Sequence, residues 1–240
     1  MINHSVSVCM ATYNGIDYIA KQIASILPQL SSSDELVISD DSSSDETVSF
    51  IRELNDPRII LLCNQKFKNP IFNFENSLKY ATRELIFLSD QDDIWMPDKV
   101  RIIRAHLRNY DLIVSDALLI NENDTVIGDS FFEIRNSAAG FLKNMYKNSY
   151  IGCCMAFNRK ILKKALPFPA NIPMHDMWLG MIAEVYGKTL FCEDKLVKYR
   201  RHLSNASPTA TGRSYYTPFD MMKFRYELLK SLSIRYFLGK

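Results

Sequence analysis

The sequence predicts an α/β domain with a mixed, mainly parallel sheet flanked by helices and followed by a C-terminal helical tail. Three observations support this fold class. Strand-like and helix-like segments alternate through the first half, short loops join them, and polar clusters recur where the strands end. The chain has 240 residues, of which 47% are hydrophobic and 23% charged, so it is long enough for one such domain with a sizeable core.

Apolar patterns predict the elements of the first half in order. Short apolar runs predict five strands, at residues 6–10, 35–39, 59–63, 85–89 and 112–115. Apolar residues at helical spacing predict four helices between them, at residues 16–30, 45–54, 72–81 and 97–107. Pro97 is expected in the first turn of the last helix, where a proline is tolerated. Such alternation places helices on both faces of a parallel sheet.

The second half has a less regular pattern. It predicts a turn between two short strands at residues 121–129, a helix at 137–146 and a strand at 150–157. A second helix is predicted at 176–186, and two short strands at 190–192 and 196–200. No linker-like stretch or repeat interrupts the chain, so residues 1–212 are predicted to form one domain.

The last 28 residues, 213–240, differ from the rest in composition. They carry six basic and two acidic residues, although the whole chain has a net charge of only +2, and they contain seven aromatic residues. A basic, aromatic helix can lie on an anionic membrane surface. The alternative is a helix that packs on the domain or on a second subunit, as in a homodimer, and the sequence leaves both open.

Composition also narrows the compartment and the partners. The chain has an odd number of cysteines, five, and no CxxC motif, which favours free thiols in a reducing compartment. No secretory signal is visible at the N-terminus, and no segment approaches the roughly 20 apolar residues of a membrane span. We therefore expect a cytoplasmic protein, with peripheral contact at the inner face of the plasma membrane left open. The small net charge argues against a nucleic-acid partner.

Three carboxylates follow the predicted fourth strand, at Asp90, Asp92 and Asp93. Carboxylates this close repel one another unless a cation joins them. Hard oxygen ligands suit Mg²⁺ or Mn²⁺, which bind one or two carboxylates together with the phosphates of a substrate. The alternative is a cluster that caps the following helix, because aspartate is favoured at helix N-termini.

A second acidic pair, Asp40 and Asp41, ends the predicted second strand beside Thr12 and Tyr13 at the end of the first. One of these carboxylates could accept a hydrogen bond from a pyrimidine N–H, with Thr12 and Tyr13 beneath the ring. The alternative is turn and capping chemistry before the next helix. The chain has only eight glycines and lacks both GxGxxG and GxxxxGK[ST], which argues against dinucleotide-binding and P-loop enzymes.

Taken together, three segments resemble, in order and spacing, the motifs of family 2 glycosyltransferases: residues 6–15, residues 38–47 with Asp40 and Asp41, and residues 88–99 with Asp90, Gln91 and Asp92. Ser42 stands where that family usually has glycine. Gln91, residues 94–95 and residues 73–74 are typical of its rhamnosyltransferase-like branch. The resemblance covers roughly residues 5 to 205.

The resemblance implies a GT-A (Rossmann-like) fold in which residues 1–115 bind a nucleotide-sugar and residues 116–212 face the acceptor. It implies an inverting displacement with Asp176 as the general base, unless Asp176 only caps its helix. Residues 199–202 resemble a late segment of the family that holds the diphosphate, with His202 near the metal. The implied donor-binding residues are Thr12, Tyr13, Asn14, Asp40, Asp41, Asn73, Asp90, Gln91, Arg200 and His202. The metal ligands are Asp90 and Asp92, and the acceptor-side residues are Gly152, Cys153, His175 and Trp178.

For the reaction itself, the resemblance favours transfer of L-rhamnose from dTDP-rhamnose to a saccharide or lipid-linked saccharide in surface polysaccharide synthesis. A UDP-sugar donor is the alternative. Two other classes stay open: a nucleotidyltransferase, which would normally carry a glycine-rich basic loop after the first strand, and a non-catalytic protein that binds sugar nucleotides.

Overall fold

The computed structural model describes residues 4–202 and 217–238. The predicted boundary between domain and tail, at residues 212 and 213, lies outside the described residues, as do Arg213, Tyr215, Tyr216 and Lys240 of the tail. None of the helices in the described ranges is both long enough and apolar enough to cross a membrane.

Nine strands in the described ranges form one sheet. They are β1 (Val6–Thr12), β2 (Glu35–Asp40), β3 (Ile59–Leu62), β4 (Leu85–Ser89), β5 (Ile94–Trp95), β6 (Leu112–Ile120), β7 (Val126–Gly128), β8 (Met155–Asn158) and β9 (Thr189–Arg200). Their order is β3-β2-β1-β4-β8-β6-β9-β5, with β7 on β6. Strands β1 to β4 pair in parallel, β6 pairs with β9 in parallel, and β8 is antiparallel to both β4 and β6. The predicted mixed, mainly parallel sheet is therefore confirmed.

Helices flank this sheet. They are α1 (Ile16–Ile26), α2 (Thr47–Glu53), α3 (Pro70–Tyr80), α4 (Lys99–His106), α5 (Phe131–Arg135), α6 (Phe141–Tyr146), α7 (Arg159–Ala165), α8 (His175–Tyr186) and α9 (Pro218–Leu238). Short 3-10 helices occupy Leu27–Gln29 and Gly152–Cys154. Because helices cover the central strands, β2 and β4 are buried along their whole length, as expected for a parallel sheet.

Strand direction determines where the polar clusters meet. Strands β1, β2, β4, β6 and β9 all run the same way, because the antiparallel β8 lies between β4 and β6. Their carboxyl ends therefore share one edge of the sheet, which is where ligands bind in open α/β folds. The register places Thr12 directly opposite Asp40 and Met10 opposite Ser89, so the loops after these three strands are neighbours.

Several predicted boundaries were wrong for identifiable physical reasons. Helix α4 begins at Lys99 instead of Pro97, because Asp98 takes a left-handed conformation with φ of 66°. The apolar run at 150–157 is only partly a strand, since Gly152–Cys154 forms a 3-10 turn before β8. The two short strands predicted at 190–192 and 196–200 are one strand, β9, with a bulge opposite Ser115 and Asp116. The helix predicted at 137–146 covers only Phe141–Tyr146.

The tail forms the predicted helix, α9, and one face of it packs on the domain. Leu228 and Leu232 are buried there, and Arg235 donates hydrogen bonds to the carbonyl oxygens of Leu166 (2.7 Å) and Pro167 (2.6 Å). Packing on the domain, one of the alternatives left open by the sequence, is thus observed for this face of the helix.

Candidate active site

The loop after β1 is held to the loop after β4 by a two-way amide clamp. The Tyr13 backbone N–H donates to Gln91 Oε1 (2.9 Å), and Gln91 Nε2 donates to the Tyr13 carbonyl oxygen (3.0 Å). Gly15 makes this contact possible, because a Cβ atom there would lie 2.4 Å from Gln91 Oε1. Gln91 therefore fixes the two loops relative to each other, and the Tyr13 side chain stays 58% exposed above them.

The carboxylates of Asp40 and Asp41 accept hydrogen bonds from neighbouring groups of the protein. Asp40 is fully buried, and its carboxylate accepts hydrogen bonds from the Thr12 hydroxyl (3.0 Å) and from both the N–H (2.9 Å) and the hydroxyl (2.5 Å) of Ser43. Asp41 is nearly buried and accepts the backbone N–H groups of Phe67 (2.6 Å) and Asn69 (3.3 Å). The turn chemistry left open by the sequence is therefore present. A direct contact with a nucleotide base would require Asp40 to exchange these partners.

Two asparagines have similar organising contacts. Asn14, at a positive φ of 47°, donates its N–H to the Ser43 hydroxyl (2.9 Å), and its side-chain oxygen accepts the Ser44 N–H (2.8 Å). Asn73, on α3, is buried and donates to the Thr12 carbonyl oxygen (3.1 Å). Both predicted donor-binding residues lie at the expected edge, and both stabilise the loops that form it.

The carboxylates after β4 lie in a setting that disfavours their charge. Burial, followed by the negative charges of Asp92 and Asp176, raises the pKa of Asp90 to about 8, although Lys99 opposes the shift. Burial and the charges of Asp92 and Asp90 raise the pKa of Asp93 well above its usual range. Asp93 also accepts the backbone N–H of Arg200 (2.9 Å), which ties the cluster to the end of β9.

Lys99, which the sequence did not single out, is the buried cation of this cluster. Its ammonium group donates to the Cys153 carbonyl oxygen (2.7 Å) and lies 4.2 Å from the centre of the Trp95 ring. Burial lowers the pKa of Lys99, while the nearby acidic groups raise it. Lys99 thereby joins the start of α4 to the 3-10 turn on the acceptor side. The missed signal was its position two residues after Pro97, where the first turn of a helix was expected.

Asp92 and His202 form a close pair, with 2.7 Å between Asp92 Oδ2 and His202 Nε2. The His202 ring stacks on Tyr18 of α1 with 5.1 Å between ring centroids. The structure thus brings the predicted metal ligand Asp92 to the predicted late-segment residue His202, although 110 positions separate them in the chain. Tyr18 was missed because nothing in its local pattern distinguishes it from other helix residues.

The guanidinium group of Arg200 is engaged within the protein, and its role in binding a diphosphate stays a prediction. The side chain is 1% exposed and donates to the carbonyl oxygens of Asp92 (2.7 Å), Asn121 (2.9 Å) and Glu122 (3.1 Å). It also forms an ion pair with Asp124 (2.5 Å). Because a planar fork of donors suits several fixed acceptors, Arg200 acts as a clamp between the β4 loop and the loop after β6.

The start of α8 brings a fourth carboxyl group to the cluster. Asp176 is partly buried, and loss of solvent raises its pKa to about 7, against the effect of the backbone N–H groups of Met177 and Gly152. Its negative charge is one of those that raise the pKa of Asp90, so the two carboxyl groups sense each other. The carboxyl group of Asp176 can therefore change its protonation state near neutral pH.

His175 is neutral and buried beside Asp176. Its ring stacks on Phe74 with 4.1 Å between centroids, and burial lowers the pKa of His175 to about 3. A Cβ atom at Gly152 would lie 2.8 Å from His175 Nε2, so the ring packs closely only because residue 152 is glycine. His175 and Gly152 are therefore adjacent, as expected of two residues predicted on the acceptor side.

Two residues predicted on the acceptor side, Trp178 and Cys153, are buried in the core. Trp178 is fully buried, and its indole N–H donates to the Ala165 carbonyl oxygen (2.9 Å). Cys153 is also fully buried, and burial raises the pKa of its thiol well above the usual range. Neither side chain is exposed to solvent, and contact of either with an acceptor stays a prediction. The sequence could not reveal this, because a tryptophan beside a helix start is compatible with either environment.

The cluster fits a hard divalent cation. Asp90 and Asp92 follow β4, and Asp92 pairs with the His202 imidazole; burial, followed by the charges of Asp92 and Asp176, raises the pKa of Asp90. Ligand atoms of Asp90, Asp93 and Cys153 also lie within 4.8 Å of one another. Cys153 is the poorest candidate of these, because a metal-binding thiol must lose its proton.

Comparison with known proteins relates this arrangement to glycosyltransferases. An Escherichia coli protein, UDP-Glc:alpha-D-GlcNAc-diphosphoundecaprenol beta-1,3-glucosyltransferase WfgD, is 29% identical over 209 residues, which cover 86% of this chain and 81% of that protein. The dTDP-rhamnosyl transferase RfbG of Shigella flexneri is 40% identical over 99 residues, but these cover only 38% of this chain and 34% of that protein.

The fold is also found among solved structures. S. aureus TarS, residues 1–349 in complex with UDP-GlcNAc, superposes with a TM-score of 0.69 at 18% sequence identity. The match covers 96% of this chain and 66% of that chain, so it establishes the GT-A fold alone. The family model of Glycosyl transferase family 2 matches residues 7–166, about two thirds of the chain. The chain therefore belongs to Glycosyl transferase family 2 and is a glycosyltransferase.

Proposed function

We propose that this enzyme moves one sugar, with inversion, from a pyrimidine nucleoside diphosphate to an acceptor hydroxyl in surface polysaccharide synthesis. The observation that carries the proposal is the partly buried Asp176, with a pKa near 7, beside the Asp90 and Asp92 cluster at the carboxyl edge of the sheet. A base and a cluster of metal-type ligands at one edge are what a single displacement needs.

In the proposed reaction, Asp176 takes the proton of the acceptor hydroxyl while the hydroxyl oxygen attacks the anomeric carbon. The bond from that carbon to the diphosphate breaks on the opposite face, so the configuration inverts and the nucleoside diphosphate leaves with the bonding electrons. A general base works best when its pKa lies near the working pH, which is the range of Asp176. The neutral His175 and the small Gly152 would shape the acceptor side without adding charge.

On the donor side, Asp90 and Asp92, with His202, would hold Mg²⁺ or Mn²⁺. When bound, this cation would offset the negative charge that grows on the leaving diphosphate. Tyr13 offers an exposed ring at the end of β1, beside Thr12 and Asp41, where a pyrimidine could stack. Gln91 keeps this loop in register with the metal-binding loop through its clamp on Tyr13.

The donor is proposed to be UDP-glucose, with dTDP-rhamnose as the alternative. The relative matched over most of the chain, WfgD, is named as a UDP-glucose enzyme, which supports the first. The rhamnosyltransferase RfbG is more similar but over a shorter stretch, which supports the second. Transfer rates with the two donors, measured on one acceptor, would distinguish them.

The acceptor is proposed to be a lipid-linked saccharide, because WfgD is named for a sugar carried on diphosphoundecaprenol. Such a substrate would require the enzyme to work at the membrane, with α9 as the candidate contact. All five cysteines are free thiols, which supports a reducing location at the inner face of the plasma membrane. Self-association through the same helix is the competing proposal.

Asp176→Asn is expected to slow transfer by roughly 10²- to 10⁴-fold, the usual cost of losing a general base. Nucleotide affinity should stay close to wild type, because the base acts on the acceptor. In the wild-type enzyme, kcat should fall as the pH drops below about 7, where Asp176 gains its proton. Single-turnover transfer with UDP-glucose or dTDP-rhamnose measures both effects. Normal turnover by the variant would assign the base elsewhere.

The same variant should gain stability at high pH. An acid with a raised pKa holds its proton in the folded state from about pH 4 to 7, so the free energy of unfolding decreases as pH rises through that range. Asp176→Asn removes this loss and should be more stable than wild type at pH 8 by roughly 1–4 kcal/mol, with a smaller gain at pH 5. Denaturant unfolding in EDTA measures the difference.

Asp98→Asn is the matched control for the stability experiment. The hydrogen bond from Arg101 lowers the pKa of Asp98, so its replacement should bring no gain that increases from pH 5 to pH 8. If Asp176→Asn behaves like Asp98→Asn, then Asp176 is an ordinary helix-start carboxylate and its proposed tuning is wrong.

Asp92→Asn is expected to weaken Mn²⁺ binding in the presence of UDP by roughly tenfold or more, since one contact around the cation is lost. Electron paramagnetic resonance of free Mn²⁺ measures the affinity directly. Asp129→Asn, an exposed carboxylate at the end of β7, is the control and should bind Mn²⁺ like wild type. Equal Mn²⁺ affinities for all three proteins would remove Asp92 from the metal site.

A further inference from the structure

Helix α9 carries apolar side chains on two faces. One face, with Leu228 and Leu232, is buried against the domain. The other is exposed and repeats at helical spacing through Phe219, Met222, Tyr226 and Leu229, whose exposed fractions run from 72% down to 43%. A helix that only packs on its own domain needs a single apolar face, so the second face is unexplained by the fold.

A helix tied to α9, α6, also carries exposed apolar side chains. Leu142 and Tyr146 lie one turn apart on α6 and are 82% and 83% exposed. Arg225 of α9 ties the two helices together, because its guanidinium group donates to the carbonyl oxygens of Met145 (2.6 Å) and Tyr146. We define the α6–α9 face as Leu142, Tyr146, Phe219, Met222, Tyr226 and Leu229.

The charges beside this face are mostly positive. Three lysines are exposed: Lys147 directly after α6, and Lys223 and Lys230 on α9. The acidic residues of α9 are Asp220 and Glu227, and Asp220 is engaged with the N–H (3.0 Å) and hydroxyl (2.7 Å) of Thr217. Exposed apolar and aromatic side chains with lysines at their edge are the pattern of a helix that lies in a membrane interface.

We propose that the α6–α9 face docks on an anionic lipid bilayer, with its aromatic and aliphatic side chains at the headgroup level and its lysines against the lipid phosphates. Tyrosine suits this depth because its ring is apolar and its hydroxyl is polar. A symmetric dimer through the same face would bring the lysines of two copies together, which like-charge repulsion opposes. The biological purpose, access to a lipid-linked acceptor, rests on the proposed function; the docking itself does not.

Co-sedimentation of the full chain with vesicles tests the proposal. Wild type should sediment with vesicles that contain phosphatidylglycerol and much less with pure phosphatidylcholine, and added salt should release it. The double variants Met222→Glu/Tyr226→Glu on α9 and Leu142→Glu/Tyr146→Glu on α6 should each bind at least roughly tenfold more weakly. All four positions are exposed, so the variants should fold and keep their UDP affinity.

Val126→Glu/Ile127→Glu is the matched control, because these β7 residues are 47% and 56% exposed but lie on neither helix. It should sediment like wild type. The proposal is overturned if wild type ignores anionic vesicles, or if the control loses binding as much as the α6 and α9 variants do. It is also overturned if wild type is a dimer that the face variants dissociate, without any lipid binding.

A transfer assay separates this proposal from the proposed function. If both are right, the face variants lose transfer to an acceptor embedded in vesicles and keep transfer to a water-soluble saccharide acceptor. If wild type shows no transfer to any acceptor but the face variants still lose vesicle binding, the catalytic proposal fails and the docking surface stands. If the face variants bind vesicles like wild type and wild type transfers sugar normally, the docking proposal fails and the catalytic proposal stands.

Discussion

Carboxyl groups crowded at one edge of the sheet are the constraint on which the rest of the site depends. Asp90, Asp93 and Asp176 all have raised pKa values, because burial disfavours the charged forms, and neighbouring carboxylates add to the shift for Asp90 and Asp93. A protein tolerates such a cluster only if protons, buried cations or a bound metal offset the charge. The folded chain without a ligand therefore stores an electrostatic cost that binding of a cation would relieve.

Two internal cations hold this cluster in shape. Lys99 connects the start of α4 to the Cys153 carbonyl oxygen on the acceptor side, and Arg200 connects the Asp92 backbone to the loop after β6. Both side chains are buried, and each donates to backbone oxygens whose positions are set by the fold. They act on the loops, whereas the partly exposed Asp92 and His202 pair with each other.

The sequence predicted the parallel half of the sheet because its strands read as short apolar runs, of which β2 and β4 are buried along their whole length. It also predicted that polar loops after β1, β2 and β4 would meet, since parallel strands share an edge. It could not predict the direction in which each polar side chain points. The sequence pattern predicted that Arg200 and Trp178 bind ligands, yet tertiary packing buries both side chains. Tyr18 lacked any local signal, and both Tyr18 and Lys99 were recognised only through their contacts.

The proposed function requires nucleotide and divalent cation to bind together at the carboxyl cluster. Isothermal titration of the wild-type protein with UDP, dTDP and GDP, first with Mn²⁺ and then with EDTA, tests this requirement. We expect a pyrimidine diphosphate to bind in Mn²⁺, GDP to bind weakly, and EDTA to abolish binding. Equal affinity in EDTA, or no binding by folded protein with Mn²⁺ present, would contradict it.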